Sequence, residues 1–304
     1  MYKFYPLSEE AVALKRKKRE GAEIILFLVA FSSLFFLIGI VVVLFVEGLP
    51  VFTHVSLSQF LLGKKWYPTS SPPQFGALPL ILGSLLVTGG GLLFAVPLGL
   101  FAGIFLAELC PPRGREIMKP IVELLADIPS VVYGFFGVVV VVPFIRNLLS
   151  LPTGLTAFTA ALILGIMAVP SIVSVIEDTL TSVPRSYKEA SFALGATHWE
   201  TLHRAILPAA SSGIGAAIIL GAGRIIGETM AVLMVAGGAP VIPKSFFQPV
   251  RTLTATIAVE MGEASVGSPH YHSLFSLAIV LFLFTLVLNI LVENLIPGGR
   301  RRVR

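Results

Sequence analysis

Between two long apolar stretches the chain reads Glu189-Ala190-Ser191-Phe192-Ala193-Leu194-Gly195, continues for nine residues, and closes on Ala205-Ile206-Leu207-Pro208. Ser186 and Glu189, three apart, predict a capping box that opens a short helix. Gly195 predicts its end, because glycine enters the left-handed conformation without a Cβ clash. Thr197 predicts the cap of a second short helix reaching Arg204, and Pro208 interrupts that helix before the next apolar stretch. The result is a helix–glycine–helix elbow over residues 184–208. Its apolar side chains Ala190, Phe192, Ala193 and Leu194 have no membrane span to belong to. They either rest on lipid headgroups or insert into a groove of another protein.

The flanking sequence sets the medium. Of 304 residues, 55% are hydrophobic and only 13% are charged, against about 25% charged in a soluble domain. Apolar stretches long enough to cross a bilayer fall at 24–46, 78–106, 121–144, 156–176, 209–235 and 274–295. The first is too long for a signal-peptide core and no small-x-small site follows it, so it reads as a retained helix. The chain is therefore expected to be an all-α integral membrane protein of six transmembrane helices. Five basic residues, Lys64, Lys65, Arg146, Lys244 and Arg251, fall on the loops of one side, Arg224 lies within a span, and the other sixteen lie opposite. The positive-inside rule then puts both termini and the elbow in the cytoplasm.

The expected organisation is a basic tail (1–23), a first helix (24–46), an outer loop (47–77), a five-helix core (78–296) and a second basic tail (297–304). The runs Lys15-Arg16-Lys17-Lys18-Arg19 and Arg300-Arg301-Arg302 anchor topology beside anionic headgroups. No folded soluble domain is left to bind nucleic acid. The single cysteine, Cys110, excludes an intrachain disulfide. The two sizeable outer loops are candidates for meeting a soluble partner, with Glu260 and Glu263 among the residues that would touch it. His270 and His272 make a weak metal site by themselves, and no metal is expected. Glu177 and Asp178 are expected to face solvent at the inner end of the fourth span.

The fifth span contains Gly221-Ala222-Gly223-Arg224-Ile225-Ile226-Gly227-Glu228-Thr229-Met230-Ala231-Val232. A charge in mid-membrane costs at least about 2.5–3.5 kcal/mol, which makes Arg224 a functional-site candidate by default. On one continuous helix Glu228 would share its face and pair with it at rest. The alternative is an anion site on a translocation path, since guanidinium offers a planar fork that matches oxyanion geometry. Arg224, Glu228 and Thr229 are the candidate substrate residues. Gly213, Ala217 and Gly221, spaced by four, and the pair Gly223 and Gly227 invite close helix approach, and a partner chain facing this span is expected. There is no Gly-x-x-x-x-Gly-Lys-Ser/Thr loop, so ATP binding is not expected of this chain. No recognisable catalytic constellation occurs, so it is not expected to be an enzyme.

The elbow resembles the EAA loop of ABC importer permeases, with Ser191 in place of the second alanine and Ala205 where isoleucine is usual. The resemblance implies the type I importer (MetI-like) permease fold, with Glu189, Ala190, Ser191, Gly195, Leu207 and Pro208 docking an ATPase. The stretch Arg224 to Val232 is similar to the fifth-span motif of the PstC family of phosphate-importer permeases. So are Phe75-Gly76-Ala77-Leu78-Pro79, Glu123-Leu124-Leu125-Ala126-Asp127-Ile128-Pro129 through Gly134, and Pro249 through Ala258. Asp127 departs from that family, where glycine is usual, and would add either a cap or a local charge at the entrance of span three. This second resemblance implies a phosphate permease in the bacterial inner membrane, working by alternating access. Its implied partners are a PstA-type second permease, a PstB-type ATPase dimer that uses the ATP and magnesium, and a periplasmic PstS-type phosphate-binding protein. The residues themselves leave open a permease for another oxyanion, sulfate or molybdate, or a stand-alone channel.

Overall fold

The computed structural model describes residues 9–295. The tail expected at 297–304 lies outside the described residues, as do the side chains of the basic run at 15–19. Helix α1 runs from Glu9 to Gly48. Most of the expected N-terminal tail is therefore a helical extension of the first span. A 3-10 turn, Leu49–Thr53, leads to the short helix α2 (Leu57–Leu62), capped by Ser56. An antiparallel ribbon follows, β1 (Trp66–Tyr67) against β2 (Gln74–Phe75), with Trp66 opposite Phe75. The loop expected at 47–77 is thus a folded cap. Phe60, Trp66 and Phe75 are buried in it and join Leu80, Leu253, Leu274 and Leu277 in one apolar cluster.

Helix α3 (Leu78–Ile104) and a π turn at Phe105–Leu109 form the second crossing. The expected third helix at 121–144 is corrected to two pieces: α4 (Pro112–Ala126) and a span of α5 (Ser130–Phe136), a π turn and α6 (Val142–Leu148). The break at Asp127-Ile128-Pro129 follows from Pro129, which has no N–H to donate and pushes Ile128 out of the helical region. Asp127 serves as the C-cap of α4. Helix α7 (Ala157–Thr181) comes next, capped by Thr156. It is the central helix: 67% of its apolar window is buried, against 0% for α1. Ile163, Leu164, Met167, Ile172 and Ile176 are buried along it.

The elbow is α8 (Arg185–Ala193) and α9 (His198–Thr201), then a π turn and α10 (Leu207–Ala209). The chain turns by 69° into α11 (Ser211–Gly227). Short helices α12 (Met230–Val235) and α13 (Leu253–Glu260) precede α14 (Pro269–Leu295). Among the described residues five helices are long and apolar enough to cross a membrane, and the bent pair around Ala210, taken as one span, brings the number to six.

Close packing on α7 uses glycine. A Cβ on Gly99 would meet Ile172, and one on Gly103 would meet Ile176. With lipid as apolar as the side chains, such van der Waals approach is what holds membrane helices together. Gly213 and Gly221 pack the same way, against Thr179 and Ile172 of α7, and Ala217 is fully buried. That stripe therefore serves this chain's own core, and the expectation that it faces a partner is corrected.

Candidate functional site

Two helix breaks meet at one cation. Arg224 stands on α11, half-buried, at the level of the α4–α5 break. Its Nη2 donates to the carbonyl of Ala126, the last residue of α4, at 2.7 Å. Carbonyls at a helix C-terminus have no intrahelical partner, so this bond meets a standing need. Tyr133 of α5 meets the neighbouring one, donating its hydroxyl to the Leu125 carbonyl at 2.9 Å. The Arg224 Nη1 donates to Ser171 Oγ of α7 at 2.6 Å.

The second break corrects the expected fifth span. Helix α11 stops at Gly227, and Glu228 takes an extended conformation (φ −69°, ψ 131°). Arg224 and Glu228 do not share a continuous helical face, and they form no ion pair. Glu228 turns to the next helix instead: its Oε1 accepts the N–H of Ala231 at 3.0 Å. Its carbonyl accepts from Thr254 Oγ1 at 2.9 Å. Thr229 bridges the gap between α11 and α12, with its hydroxyl 3.3 Å from the Gly227 carbonyl. Gly223 and Gly227 have no heavy atom within 4 Å of where a Cβ would stand, so open space adjoins this turn.

The consequence is a guanidinium without a salt-bridge partner among the described residues. Guanidinium carries five N–H donors, and the bonds from Arg224 to Ser171 and Ala126 use two of them on neutral acceptors. Among the described residues no carboxylate stands within salt-bridge distance of it. Discontinuous helices that offer unwound backbone and a charge at mid-membrane depth are how membrane proteins build ion and substrate sites.

The elbow is built largely as its sequence implies. Gly195 sits at φ +81°. Thr197 and Glu200 form a full capping box, with the Thr197 N–H donating to Glu200 Oε2 at 2.9 Å. That backbone bond, with the Thr197 hydroxyl second, holds the Glu200 carboxyl below the usual glutamate range. The capping box expected at Ser186 is corrected: Pro184 is the N-cap of α8, so Ser186 already lies in the first turn. Ser191 and Thr201 tie the two arms through their hydroxyls at 2.9 Å. Glu189, Ala190, Gly195 and Pro208 are exposed, and Leu207 is half-buried. Leu194 is 90% and Trp199 71% exposed, and Trp199 stacks only on the ring of His203 among the described residues. Trp199 escaped the sequence reading. Its signal was a tryptophan just inside a capped polar helix with no apolar face to join.

Ion pairs link elbow and span ends. Lys188 contacts both oxygens of Glu108 at 2.8 Å, tying α8 to the end of the second crossing. Glu177, expected in solvent, is fully buried and paired with Arg115 and Lys119 of α4. Lys119 also meets Asp178 at 2.5 Å, and bonds to Asp178 first and Glu177 second raise its pKa above the usual lysine value. At the opposite end Glu260, one candidate for touching a partner, is buried. It accepts from Trp66 Nε1 at 3.0 Å, pairs with Arg251 at 2.8 Å, and lies 2.9 Å from His270 Nε2. His272 Nδ1 contacts the Glu47 carbonyl at 2.7 Å, whereas Glu263 is exposed. The two histidines serve separate contacts.

Comparison with known proteins places this geometry. Residues 95–301 match the family model of the binding-protein-dependent transport system inner membrane component. The chain is 40% identical to the probable ABC transporter permease YqgH of Bacillus subtilis, over 88% of this chain and 86% of that one. It is 38% identical to the phosphate transport system permease PstC of Mesorhizobium japonicum, over 75% of each. Among solved structures, a bacterial alginate ABC transporter covers 93% of this chain and 95% of its own at TM-score 0.62 and 16% identity. The MetNI methionine transporter covers 70% and 91% at TM-score 0.55 and 20% identity. With the folds alike and the sequence relatives spanning most of their length, the chain belongs to the family of binding-protein-dependent inner membrane transport components, multi-pass permeases of ABC importers.

Proposed function

We propose that this chain is the PstC-type permease of an importer that moves inorganic phosphate across the inner membrane. The observation that carries it is Arg224: a cation at a double helix break, bonded only to neutral groups, with donors to spare. A phosphate oxygen pair fits that fork, and the similarity to PstC permeases supports phosphate as the anion. Both termini and the elbow face the cytoplasm, as the distribution of basic residues supports. The knob of Leu194 and Trp199 docks in a groove of a partner ATPase, which supplies the ATP chemistry. The Lys188–Glu108 and Lys119–Glu177 pairs then carry its movement to α3, α4 and α7, and the permease alternates between outward and inward access. A second permease completes the path, and a soluble phosphate-binding protein delivers the anion to the folded cap formed by residues 49–76.

Glu228 sets selectivity. Its Oε2 has no bond among the described residues, and it can accept the proton that monohydrogen phosphate carries and sulfate lacks. A fully ionised oxyanion leaves the carboxylate facing like charge. The test is ATP-dependent uptake of labelled phosphate into vesicles holding this chain and its partners, with sulfate as competitor. Uptake that requires every partner and ignores sulfate is the expected result. Uptake of sulfate or molybdate in place of phosphate would transfer the site to another oxyanion. A Glu228→Gln variant with unchanged preference for phosphate over sulfate would remove Glu228 from selectivity.

A further inference from the structure

Hydroxyls within helices usually spend their hydrogen on the preceding turn of backbone. Helix α7 shows the habit: Thr179 donates to the Val175 carbonyl at 2.7 Å, Thr181 to that of Glu177 at 3.0 Å, and Ser182 to that of Thr179 at 2.7 Å. Ser171 does the reverse. Its Oγ accepts from Arg224 Nη1 at 2.6 Å, and its own hydrogen has no acceptor among the described residues. Ser174, one turn along the same face, likewise spends its hydrogen on no acceptor among the described residues, but it is not joined to Arg224. Ser171 is half-buried, so its donor is neither lost to bulk water nor sealed in the core.

We propose that Ser171 is a second ligand of the transported oxyanion, donating its O–H to one oxygen while Arg224 holds another. This rests on the reading of Arg224 as the anion site. The chemistry follows from the direction of the short bond. By accepting from a cation, Oγ turns its hydrogen away from the guanidinium, and the cation polarises that hydrogen into a stronger donor. A tetrahedral anion presents neighbouring oxygens, so two adjacent donors of different kind engage it together. The fork supplies the charge, and the hydroxyl adds a directional neutral bond that a second arginine would replace only by holding the anion harder.

The test uses the assembled transporter in vesicles and an isosteric pair. Ser171→Thr keeps the hydroxyl and Ser171→Val removes it at nearly the same shape. A hydrogen bond to a charged group contributes about 1.5–3 kcal/mol, so Ser171→Val is expected to raise the KM for phosphate about tenfold or more, with Ser171→Thr close to wild type. Equal KM values in the two variants would overturn the inference. Contact is tested separately by Ser171→Cys in a Cys110→Ser background, labelled with a charged methanethiosulfonate. Phosphate is expected to slow the labelling. Labelling indifferent to phosphate, or no labelling at all, would overturn the contact. Arg224→Ala distinguishes the two levels: if it still takes up phosphate, the anion-site reading fails and Ser171 with it. If it does not, while Thr and Val behave alike, Ser171 alone is withdrawn.

Discussion

Arg251 and Arg224 are both half-buried arginines, and the chain treats them oppositely. Arg251 is closed. Its Nε donates to the Gly238 carbonyl at 2.9 Å, its Nη1 meets Glu260 at 2.8 Å, and Glu260 is further tied to Trp66 and His270. The cluster joins the ribbon, α13 and α14, so its charge is spent on architecture. Arg224 is open, meeting only the Ser171 hydroxyl and the Ala126 carbonyl, at two helix breaks and beside empty space. A buried charge is tolerated when paired. One left without a carboxylate where backbone is already interrupted is the observation on which the anion-site proposal rests. Charge in a membrane helix thus marks function only after its partners are counted.

The contrast can be broken by giving Arg224 a partner. Ser171→Asp places a carboxylate where Arg224 already donates, and uptake is expected to fall more than about 100-fold, two lost charge-assisted bonds of about 1.5–3 kcal/mol each. The assembled complex should keep its melting temperature, and a normal uptake rate would show that closing the cation is harmless. Opening the other cluster should do the opposite. Glu260→Gln removes the charge facing Arg251 and is expected to destabilise by about 3 kcal/mol, as when one partner leaves a buried pair. Thermal melting reads that loss, while uptake per assembled complex should hold.

Smaller effects lie at the elbow. Leu194→Asp charges the exposed tip and should cut co-purification of the ATPase about tenfold, as loss of an apolar anchor costs more than about 1 kcal/mol. Phosphate binding should be untouched, which separates docking from the anion site. Thr197→Ala removes a cap and should cost α9 about 1 kcal/mol, measured by hydrogen exchange across residues 198–206. Glu200 adds a pH signature. Its carboxyl titrates below the usual glutamate range in the folded chain, so its contribution is present above the ordinary value and lost as pH falls through the depressed one. Protection of α9, taken relative to the intrinsic exchange rate at each pH, should fall on that acidification in wild type and change less in Thr197→Ala.

Much of this was legible because it was local. The apolar stretches outside the third and fifth, the Gly195 turn and the Thr197 cap each depend on a few neighbouring residues, and the structure has helices, a turn and a cap at those places. Arg224 stood out as a candidate because a charge in an apolar run has few explanations. What failed was assumed continuity. The apolar run from 209 to 235 hides a break, since nothing in Gly227-Glu228-Thr229 lacks a donor as proline does. That break removes the helical face that Arg224 and Glu228 were expected to share. At Pro129 the signal was on the page, but the apolar run outweighed it. The pairing of Glu177 with Arg115 and Lys119, and of Glu260 with Trp66, joins residues far apart in sequence. Single-chain pattern carries no trace of such pairs. The same holds for Ser171, whose meaning depends on a guanidinium 53 positions away.

The most direct test is ATP-dependent uptake of labelled phosphate by the assembled transporter carrying Arg224→Ala, beside wild type and Arg251→Ala corrected for the amount of complex. If the open cation is the anion site, Arg224→Ala assembles and does not transport, while Arg251→Ala assembles less and transports normally per complex. Transport by Arg224→Ala at the wild-type rate would contradict the central claim, leaving the fold intact and the site elsewhere.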